Sequence, residues 1–265
     1  MNILFWNINK TYIPKHINRI IETENIDIVI LAENPIPPDT LLTTLNFNRA
    51  SFYYAQSSGC RKLDVFTKFN HSYIKPISEY DRLSIRLVSI PGTNPFLLAM
   101  VHMPDKRNWT DDDQMFECVR LADSIIKAEK ELKNTYTMLV GDFNMDPFEK
   151  GIVSSKGLHA IMCKKIASEK SRIVQGEEYP FFYNPMWNFM GDETEGPVGT
   201  YYYRSAKHIN YFWHTFDQVL LRPSFFNGSK LPHVKIIQLD LKEIKCEETG
   251  NKQPDHYPIA VNLPL

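Results

Sequence analysis

Short apolar runs of strand length, each followed by polar residues, recur along the chain. Residues 3–6 and 26–32 are the first two runs, and both are typical of buried strands. Between them, Pro14 begins a helical pattern whose apolar positions include Ile17 and Ile20. A strand, helix and strand in this order predict a parallel crossover, which places the residues following both strands at one edge of a sheet.

The middle of the chain lacks a helical pattern and holds a series of short apolar segments bounded by Gly, Pro, Asn or Ser. These segments are residues 52–54, 63–67, 73–77, 83–90 and 96–101. Such a series predicts antiparallel hairpins or a meander.

A second helix and further strands complete the pattern. Thr110 and the acidic residues after it are typical of a helix start. The predicted apolar face of this helix consists of Met115, Val119, Ala122, Ile125 and Ile126. Further strands are predicted at residues 138–140, 199–204, 215–221, 234–239 and 259–262, and a short helix at 147–155. Residues 157–198 show no clear period, and their aromatics are expected either to shape a substrate pocket or to pack on the core.

The composition limits the class of protein. The chain has 265 residues, 43% hydrophobic residues and a net charge of −1, which excludes a disordered chain and a globally basic nucleic-acid coat. Its four cysteines show no CxxC spacing, so we expect reduced thiols in a cytoplasmic protein and no zinc site. No signal-peptide pattern and no membrane-spanning segment are predicted. The strands form one continuous series, which predicts a single domain over residues 1–265.

Polar side chains stand at or beside the ends of six predicted strands. They are Asn7, Glu33, His102, Asp142 with Asn144, Asp217, and Asp255 with His256. Taken singly, most of these residues could be turn or rim residues. The segment around Gly141 is as consistent with a turn before Pro147 as with a site that handles water and a cation. We expect Gly141 to end its strand, because glycine adopts backbone angles that side chains forbid.

Taken together, these segments resemble the endonuclease/exonuclease/phosphatase superfamily. The matching motifs follow that family's order and span nearly the whole chain: residues 5–9 (FWNIN), 31–33 (LAE), 101–104 (VHMP), 141–144 (GDFN), 216–219 (FDQV) and 254–258 (PDHYP). The resemblance implies a four-layer α/β sandwich, in which two mixed β-sheets lie face to face between helices. It also implies a Mg²⁺-dependent phosphoesterase, with Mn²⁺ as a substitute.

The resemblance further implies a role for each residue. Metal ligands would be Asn7, Glu33 and Asp255. Catalytic residues would be His102, Asp142, Asn144, Asp217 and His256. Asp142 would activate the attacking water and Asn144 would hold the phosphate or that water. His256 would contact the phosphate while Asp217 fixes its tautomer. Asp146 has no matching role, and we interpret it as a turn residue.

The sequence does not decide between several possible substrates. A nucleic-acid or nucleotide phosphodiester is favoured by His102, by basic residues near the predicted site, and by aromatics at 179–187 and 201–203 that could stack on bases. The basic residues are Arg61, Lys62, Lys106, Arg107, Arg204 and Lys207. The alternatives are a phosphomonoesterase acting on an inositol or other small phosphate and, less favoured, a catalytically idle binding protein. The sequence does not indicate an oligomeric state.

Overall fold

The computed structural model describes residues 1–47, 51–226 and 231–264. Its strands are β1 (Asn2–Asn7), β2 (Ile28–Ala32), β3 (Tyr53–Tyr54), β4 (Leu63–Thr67), β5 (Ile74–Tyr80), β6 (Leu83–Val88), β7 (Phe96–His102), β8 (Thr137–Asp142), β9 (Ala160–Ile161), β10 (Ser171–Val174), β11 (Glu177–Pro180), β12 (Phe182–Tyr183), β13 (Tyr201–Tyr202), β14 (Trp213–His214), β15 (Asp217–Leu221), β16 (His233–Ile236) and β17 (Ile259–Asn262). Its α-helices are α1 (Pro14–Thr23), α2 (Pro38–Leu45), α3 (Asp111–Leu132), α4 (Lys150–Val153) and α5 (Lys164–Ala167), and 3₁₀ helices span His71–Tyr73, Pro185–Phe189 and Pro223–Phe226.

Two mixed sheets form the centre of the molecule. The first sheet has the strand order β16-β17-β1-β2-β4-β3, and the second has the order β5-β6-β7-β8-β15-β12-β9. β1 pairs with β2 in parallel through α1, so the predicted crossover is confirmed. In the second sheet, β7 pairs with β8 in parallel through α3.

Strand alternation produces three apolar clusters and therefore four layers. Phe5 and Ile30 of the first sheet meet Leu98 and Val140 of the second in a core between the two sheets. The side chains that alternate with these point outward, where α1 and α2 cover the first sheet and α3 covers the second. The predicted α/β sandwich, with two mixed sheets between helices, is confirmed.

Helix α3 begins where the sequence predicts, and its predicted buried face is confirmed for Ala122 and Ile125 only. Thr110 accepts a hydrogen bond from the Asp113 amide, and Asp113 accepts one from the Thr110 amide, which forms a capping box. Cys118 and Leu121 are fully buried against the second sheet, whereas the predicted Met115 is only half-buried. The prediction was offset because Met115, Val119 and Ile126 are apolar but lie along the margin of the buried stripe.

The series of strands in the middle of the chain is divided between the two sheets. β3 and β4 join the first sheet, while β5, β6 and β7 form an antiparallel meander in the second. The predicted hairpins are therefore confirmed for β5 to β7. The division between sheets follows from packing and has no local pattern in the sequence.

Residues 157–198 are largely structured. They contribute β9 and β12 to the second sheet, and β10 and β11 form a separate hairpin. Phe181 and Phe182 are buried, so the prediction that the aromatics of residues 179–187 stack on bases is wrong for these two rings.

Two further predictions concern the thiols and the membrane. All four cysteines are free, as expected of reduced thiols. Within residues 1–47, 51–226 and 231–264, no helix combines the length and the apolar character needed to cross a membrane.

Candidate active site

Three site residues of the second sheet lie side by side on neighbouring strands. His102 ends β7, Asp142 ends β8, and the two are direct partners in the parallel pair. Asp217 begins β15 and is the direct antiparallel partner of Asp142. Because the three positions share one register row, the sheet itself sets the spacing between them.

Gly141 permits this row by leaving space for a carbonyl group. A Cβ atom on Gly141 would lie 1.9 Å from the Val101 carbonyl oxygen, well inside contact distance. Gly141 lies inside β8, and its φ angle is not among the positive ones. The prediction that this glycine ends its strand through unusual backbone angles is therefore wrong; close strand packing is the physical reason for the glycine.

The first sheet brings Asn7 and Glu33 to the same edge. Asn7 ends β1, and its Nδ2 donates to Asp142 Oδ2 across the sandwich at 2.9 Å. Glu33 follows β2 with a φ of 49°, a left-handed conformation that costs a non-glycine residue about 1 kcal/mol or more. His102 Nε2 lies 3.7 Å from Glu33 Oε1 and 3.8 Å from Asp142 Oδ2, beyond direct hydrogen bonding. These spacings suit a shared water or ligand oxygen.

A buried imidazole and carboxylate form the second cross-sheet contact. His256 Nδ1 lies 2.8 Å from Asp217 Oδ2, and the His256 carbonyl accepts a hydrogen bond from the indole of Trp6 at 2.8 Å. Burial opposes the charged form of His256, yet the carboxylate of Asp217 and two further nearby carboxylates raise its pKa to about 10. The further carboxylates are those of Asp142 and Asp255. His256 is therefore a protonated donor at neutral pH.

Burial also acts on Asp217 itself. It raises the pKa of this carboxyl, while the neighbouring His256 lowers it. Asp217 Oδ1 has no hydrogen-bond partner among the described residues. The pair thus keeps one polar atom of the carboxylate unpaired inside the site.

Asp255 and Asn144 lie at the margins of this cluster. Asp255 Oδ1 is 4.0 Å from His256 Nε2, and this oxygen has no hydrogen-bond partner within the described part of the chain. Burial raises the pKa of Asp255, and the nearby His256 opposes part of this shift because it stabilises the carboxylate. Asn144 donates its side-chain amide to the Met103 carbonyl at 3.0 Å, so its predicted contact with phosphate stays a prediction.

Asp146 has a structural role that the sequence did not indicate. It is buried, its Oδ1 accepts from the Thr215 amide at 2.8 Å, and its Oδ2 lies 2.7 Å from His214 Nδ1. Asp146 does begin a turn, since its carbonyl accepts from the Glu149 amide at 3.0 Å, but its side chain has this further role. Its partners lie nearly 70 residues away along the chain, and no local pattern reveals such a contact.

Three of the six predicted basic residues form surface ion pairs. Arg61 pairs with Asp81, and Arg107 pairs with Asp105. Lys106 pairs with Asp111 at the start of α3 and with Glu149, which precedes α4. Exposed pairs of this kind add little stability and leave the cations accessible to a polyanion.

The donor set suits a hard cation. The carboxylates of Asp142 and Asp217 and the imidazole of His256 place one atom each within 4.8 Å of one another, and the protonated imidazole is not itself a ligand. Glu33 and Asp255 add carboxylate oxygens at the same edge, and the Asp255 oxygen is unpaired as noted above. Carboxylate and amide oxygens are the ligands that Mg²⁺ and Mn²⁺ prefer.

Comparison with known proteins rests on structure, since the chain matches no family model and no curated protein. TDP2 of D. rerio complexed with single strand DNA product is 18% identical, with a TM-score of 0.56 over 98% of this chain and 97% of that chain. The human Nocturnin catalytic domain with bound sulfate anion is 13% identical, with a TM-score of 0.57 over 98% and 93%. An endonuclease/exonuclease/phosphatase family protein from Bacteroides thetaiotaomicron is 14% identical, with a TM-score of 0.55 over 98% and 96%.

These similarities establish the class of fold. The chain has the fold of the endonuclease/exonuclease/phosphatase superfamily, as its motifs predicted. The similarity extends along essentially the whole of each compared chain. Because one fold supports different substrates, the activity has to be argued from the site.

Proposed function

We propose that residues 1–265 form a single catalytic domain that hydrolyses nucleic-acid phosphodiester bonds with the help of Mg²⁺. The observation that carries the proposal is the position of Asp142. It is buried between the Asn7 amide, His102 and the Asp217–His256 pair, at an edge where Glu33 adds a second carboxylate. This constellation combines a base, a cationic donor and oxygen ligands, which phosphodiester hydrolysis requires.

In the proposal, Glu33, Asp255 and Asn7 hold the metal ion. The side chains of Glu33 and Asp255 are 28% and 43% exposed, so a cation between them would keep several waters, as Mg²⁺ prefers. Asn7 Oδ1 accepts from the Asn9 amide and has a second lone pair for a cation. When bound, the ion would neutralise the phosphate and stabilise the departing oxygen. We favour this position over one between Asp142 and Asp217, since both of those carboxylates are buried and would leave the ion few waters.

The remaining residues handle protons and the phosphate. Asp142 accepts hydrogen bonds from Asn7 and from the Asn144 amide, which fix its carboxylate so that it orients and deprotonates the attacking water. His256, held by Asp217, donates to a phosphate oxygen through Nε2. His102 is also positioned to donate to the phosphate or to the leaving oxygen.

The structural neighbours support a nucleic-acid substrate. The TDP2 structure of D. rerio holds a single-stranded DNA product on a fold of the same class. The four free cysteines support a reducing compartment, and we therefore propose a cytoplasmic protein.

Incubation with Mg²⁺, Mn²⁺ or EDTA tests the reaction. The substrates are single-stranded DNA, plasmid DNA, RNA and inositol phosphates. We expect nucleic-acid cleavage with either metal and none in EDTA. Release of phosphate from the inositol phosphates, with the nucleic acids left uncleaved, would support the alternative function of a phosphomonoesterase. Absence of any turnover, with metal bound normally, would indicate a catalytically idle protein.

Glu33→Gln tests the metal site without relying on turnover. Loss of the charged ligand should weaken Mn²⁺ binding at least about tenfold, as followed by titration calorimetry. Glu22→Gln, on helix α1, serves as a control for the loss of one acidic charge. Equal affinities in wild-type protein and Glu33→Gln would remove Glu33 from the metal site.

A further inference from the structure

A small two-stranded hairpin, here called the aromatic hairpin (residues 201–214), adjoins the candidate active site. Its strands are β13 and β14, which pair with each other and form a sheet separate from the two large ones. Tyr201 forms an isolated bridge with His256, and the Tyr257 amide donates to the Thr200 carbonyl at 2.7 Å. The hairpin backbone is thus attached directly to the segment that contains His256.

Strand alternation gives the aromatic hairpin two different faces. The Tyr201 ring lies 4.8 Å from the His256 ring, and the Tyr203 ring lies 6.4 Å from Tyr201 with its plane tilted by only 16°. Tyr202 points the other way and packs edge-on against Trp213 at 5.2 Å. Tyr201 and Tyr203 therefore extend an aromatic face outward from the imidazole that is proposed to contact phosphate.

Burial does not explain the ring of Tyr203. Tyr203 is 52% exposed and Tyr202 is 49% exposed. The Tyr203 amide donates to the Phe212 carbonyl at 2.8 Å, which fixes the backbone from which the ring projects. A large ring that is held in place and left half in water, next to a reacting centre, is suited to contact with a ligand.

The charge of the aromatic hairpin and its flanking residues indicates which kind of ligand this face would bind. Residues 199–216 contain Arg204 and Lys207 and no aspartate or glutamate. A segment with exposed rings and cations, and without acidic residues of its own, complements a polyanion that carries planar groups. Single-stranded nucleic acid has this chemistry, because its phosphates meet cations and its unpaired bases stack on aromatic rings.

We propose that the Tyr201–Tyr203 face of the aromatic hairpin is a base-stacking subsite, which holds an unpaired base beside the phosphate at His256 and selects single-stranded substrate. This inference rests on the proposed function, since it names the substrate class of the same site. Bases in a duplex have their faces covered by neighbouring pairs and cannot stack on Tyr203 without being unpaired.

The two adjacent tyrosines provide a matched test. Tyr203→Leu and Tyr202→Leu each remove one ring of nearly equal exposure and keep a bulky apolar side chain, but only the first ring lies on the site-facing side. Binding is measured in EDTA, so that no cleavage occurs, with a single-stranded oligonucleotide containing 2-aminopurine. Thermal unfolding of each variant verifies that it is folded.

We expect Tyr203→Leu to weaken single-strand binding by about tenfold, the size of one base–aromatic stack. Tyr202→Leu should bind within about twofold of wild type. Tyr203→Phe should restore binding, because the ring face and not the hydroxyl makes the contact. The 2-aminopurine emission should be quenched on binding by the wild type and less so by Tyr203→Leu.

Several results would overturn the subsite. They are unchanged binding by Tyr203→Leu, equal weakening by both leucine variants, or failure of Tyr203→Phe to restore binding. An equal loss for duplex and single-stranded oligonucleotides would remove the strand selectivity. Hydrolysis of bis(p-nitrophenyl) phosphate by wild-type protein, which needs no base recognition, tests the proposed function separately. If the wild-type protein binds the oligonucleotide but does not hydrolyse this compound, the proposed phosphodiesterase activity is refuted. The result on base stacking would still hold.

Discussion

Two Asp–His pairs lie close to the Asp142 segment, and they differ in what surrounds them. In one, Asp217 Oδ2 lies 2.8 Å from His256 Nδ1; in the other, Asp146 Oδ2 lies 2.7 Å from His214 Nδ1. Both carboxylates are buried. The pair distance alone therefore does not distinguish a catalytic pair from a structural one.

The second oxygen of each carboxylate distinguishes them. Asp146 Oδ1 accepts the Thr215 amide, so both oxygens of Asp146 hold the protein together. Asp217 Oδ1 has no hydrogen-bond partner among the described residues. A buried oxygen without a hydrogen bond costs free energy, so Asp217 Oδ1 can gain from contact with a ligand or water in a way that Asp146 Oδ1 cannot.

The imidazoles differ in the same way. The His256 ring lies 4.8 Å from Tyr201, while the His214 ring lies 6.4 Å from Tyr201, stacks on Phe216 at 4.7 Å and contacts Tyr211. We infer that the Asp217–His256 pair serves the reaction, and that the Asp146–His214 pair anchors the segment that follows Asp142.

The largest expected effect is the loss of turnover when a proposed catalytic residue is replaced. Asp142→Ala and His256→Ala should each lower kcat by at least about 10²–10⁴-fold, because each removes a group that moves or donates a proton. The measurement is steady-state hydrolysis with Mg²⁺, and thermal unfolding monitors the fold. Near-wild-type kcat in either variant would show that the role of that residue is misassigned.

The Asp146–His214 pair should behave in the opposite way. Asp146→Ala leaves the Thr215 amide and His214 without their acceptor, so the free energy of unfolding should fall by about 2–3 kcal/mol. Turnover of the folded fraction should fall much less than in His256→Ala. Urea unfolding and kcat are measured on the same preparations.

Asp146→Asn is the matched control, since it keeps an acceptor for the Thr215 amide and should recover part of the stability. If Asp146→Ala instead abolished turnover at unchanged stability, both pairs would be catalytic and the distinction between them would fail.

Another buried histidine gives an effect that is confined to acidic pH, and it shows by contrast what the carboxylates do to a neighbouring imidazole. His159 has an arginine as its partner, and its Nε2 accepts from Arg172 Nε at 2.9 Å. Burial and the charge of Arg172 lower the pKa of His159 from 6.5 to about 4. Between these two values the unfolded chain binds a proton that the folded protein does not. Stability should therefore fall as the pH drops from 6.5 to 4, by at most about 3 kcal/mol.

His159→Gln keeps a hydrogen-bond acceptor and removes the titration. Urea unfolding between pH 7.5 and 4.5 should show a shallower loss of stability on acidification in this variant than in wild type. The same pH slope in both proteins would mean that other groups, and not His159, cause the loss.

The parts of the fold that depend on local interactions follow from the sequence. The crossover from β1 to β2 follows from two apolar runs around an amphipathic helix, and it places Asn7 and Glu33 at one edge as expected. The row formed by His102, Asp142 and Asp217 could be anticipated only through the resemblance, since register between distant strands has no local pattern.

The errors come from long-range packing. Gly141 was explained through its own backbone angles, whereas its role depends on the Val101 carbonyl in the neighbouring strand. Asp146 depends on residues 214 and 215, which join it only after folding. The α3 face was offset because apolar side chains at its margin resemble those at its centre.

The site is built from both sheets, and this has a consequence for folding. Asn7, Glu33 and His256 belong to the first sheet and its connections, while His102, Asp142 and Asp217 belong to the second. The hydrogen bonds from Asn7 to Asp142 and between His256 and Asp217 span the gap between the sheets. A chain with only one sheet formed holds half of the polar set and cannot perform the chemistry. Turnover in the proposed reaction would therefore count only molecules whose sheets have docked, so that activity would measure the completely folded fraction.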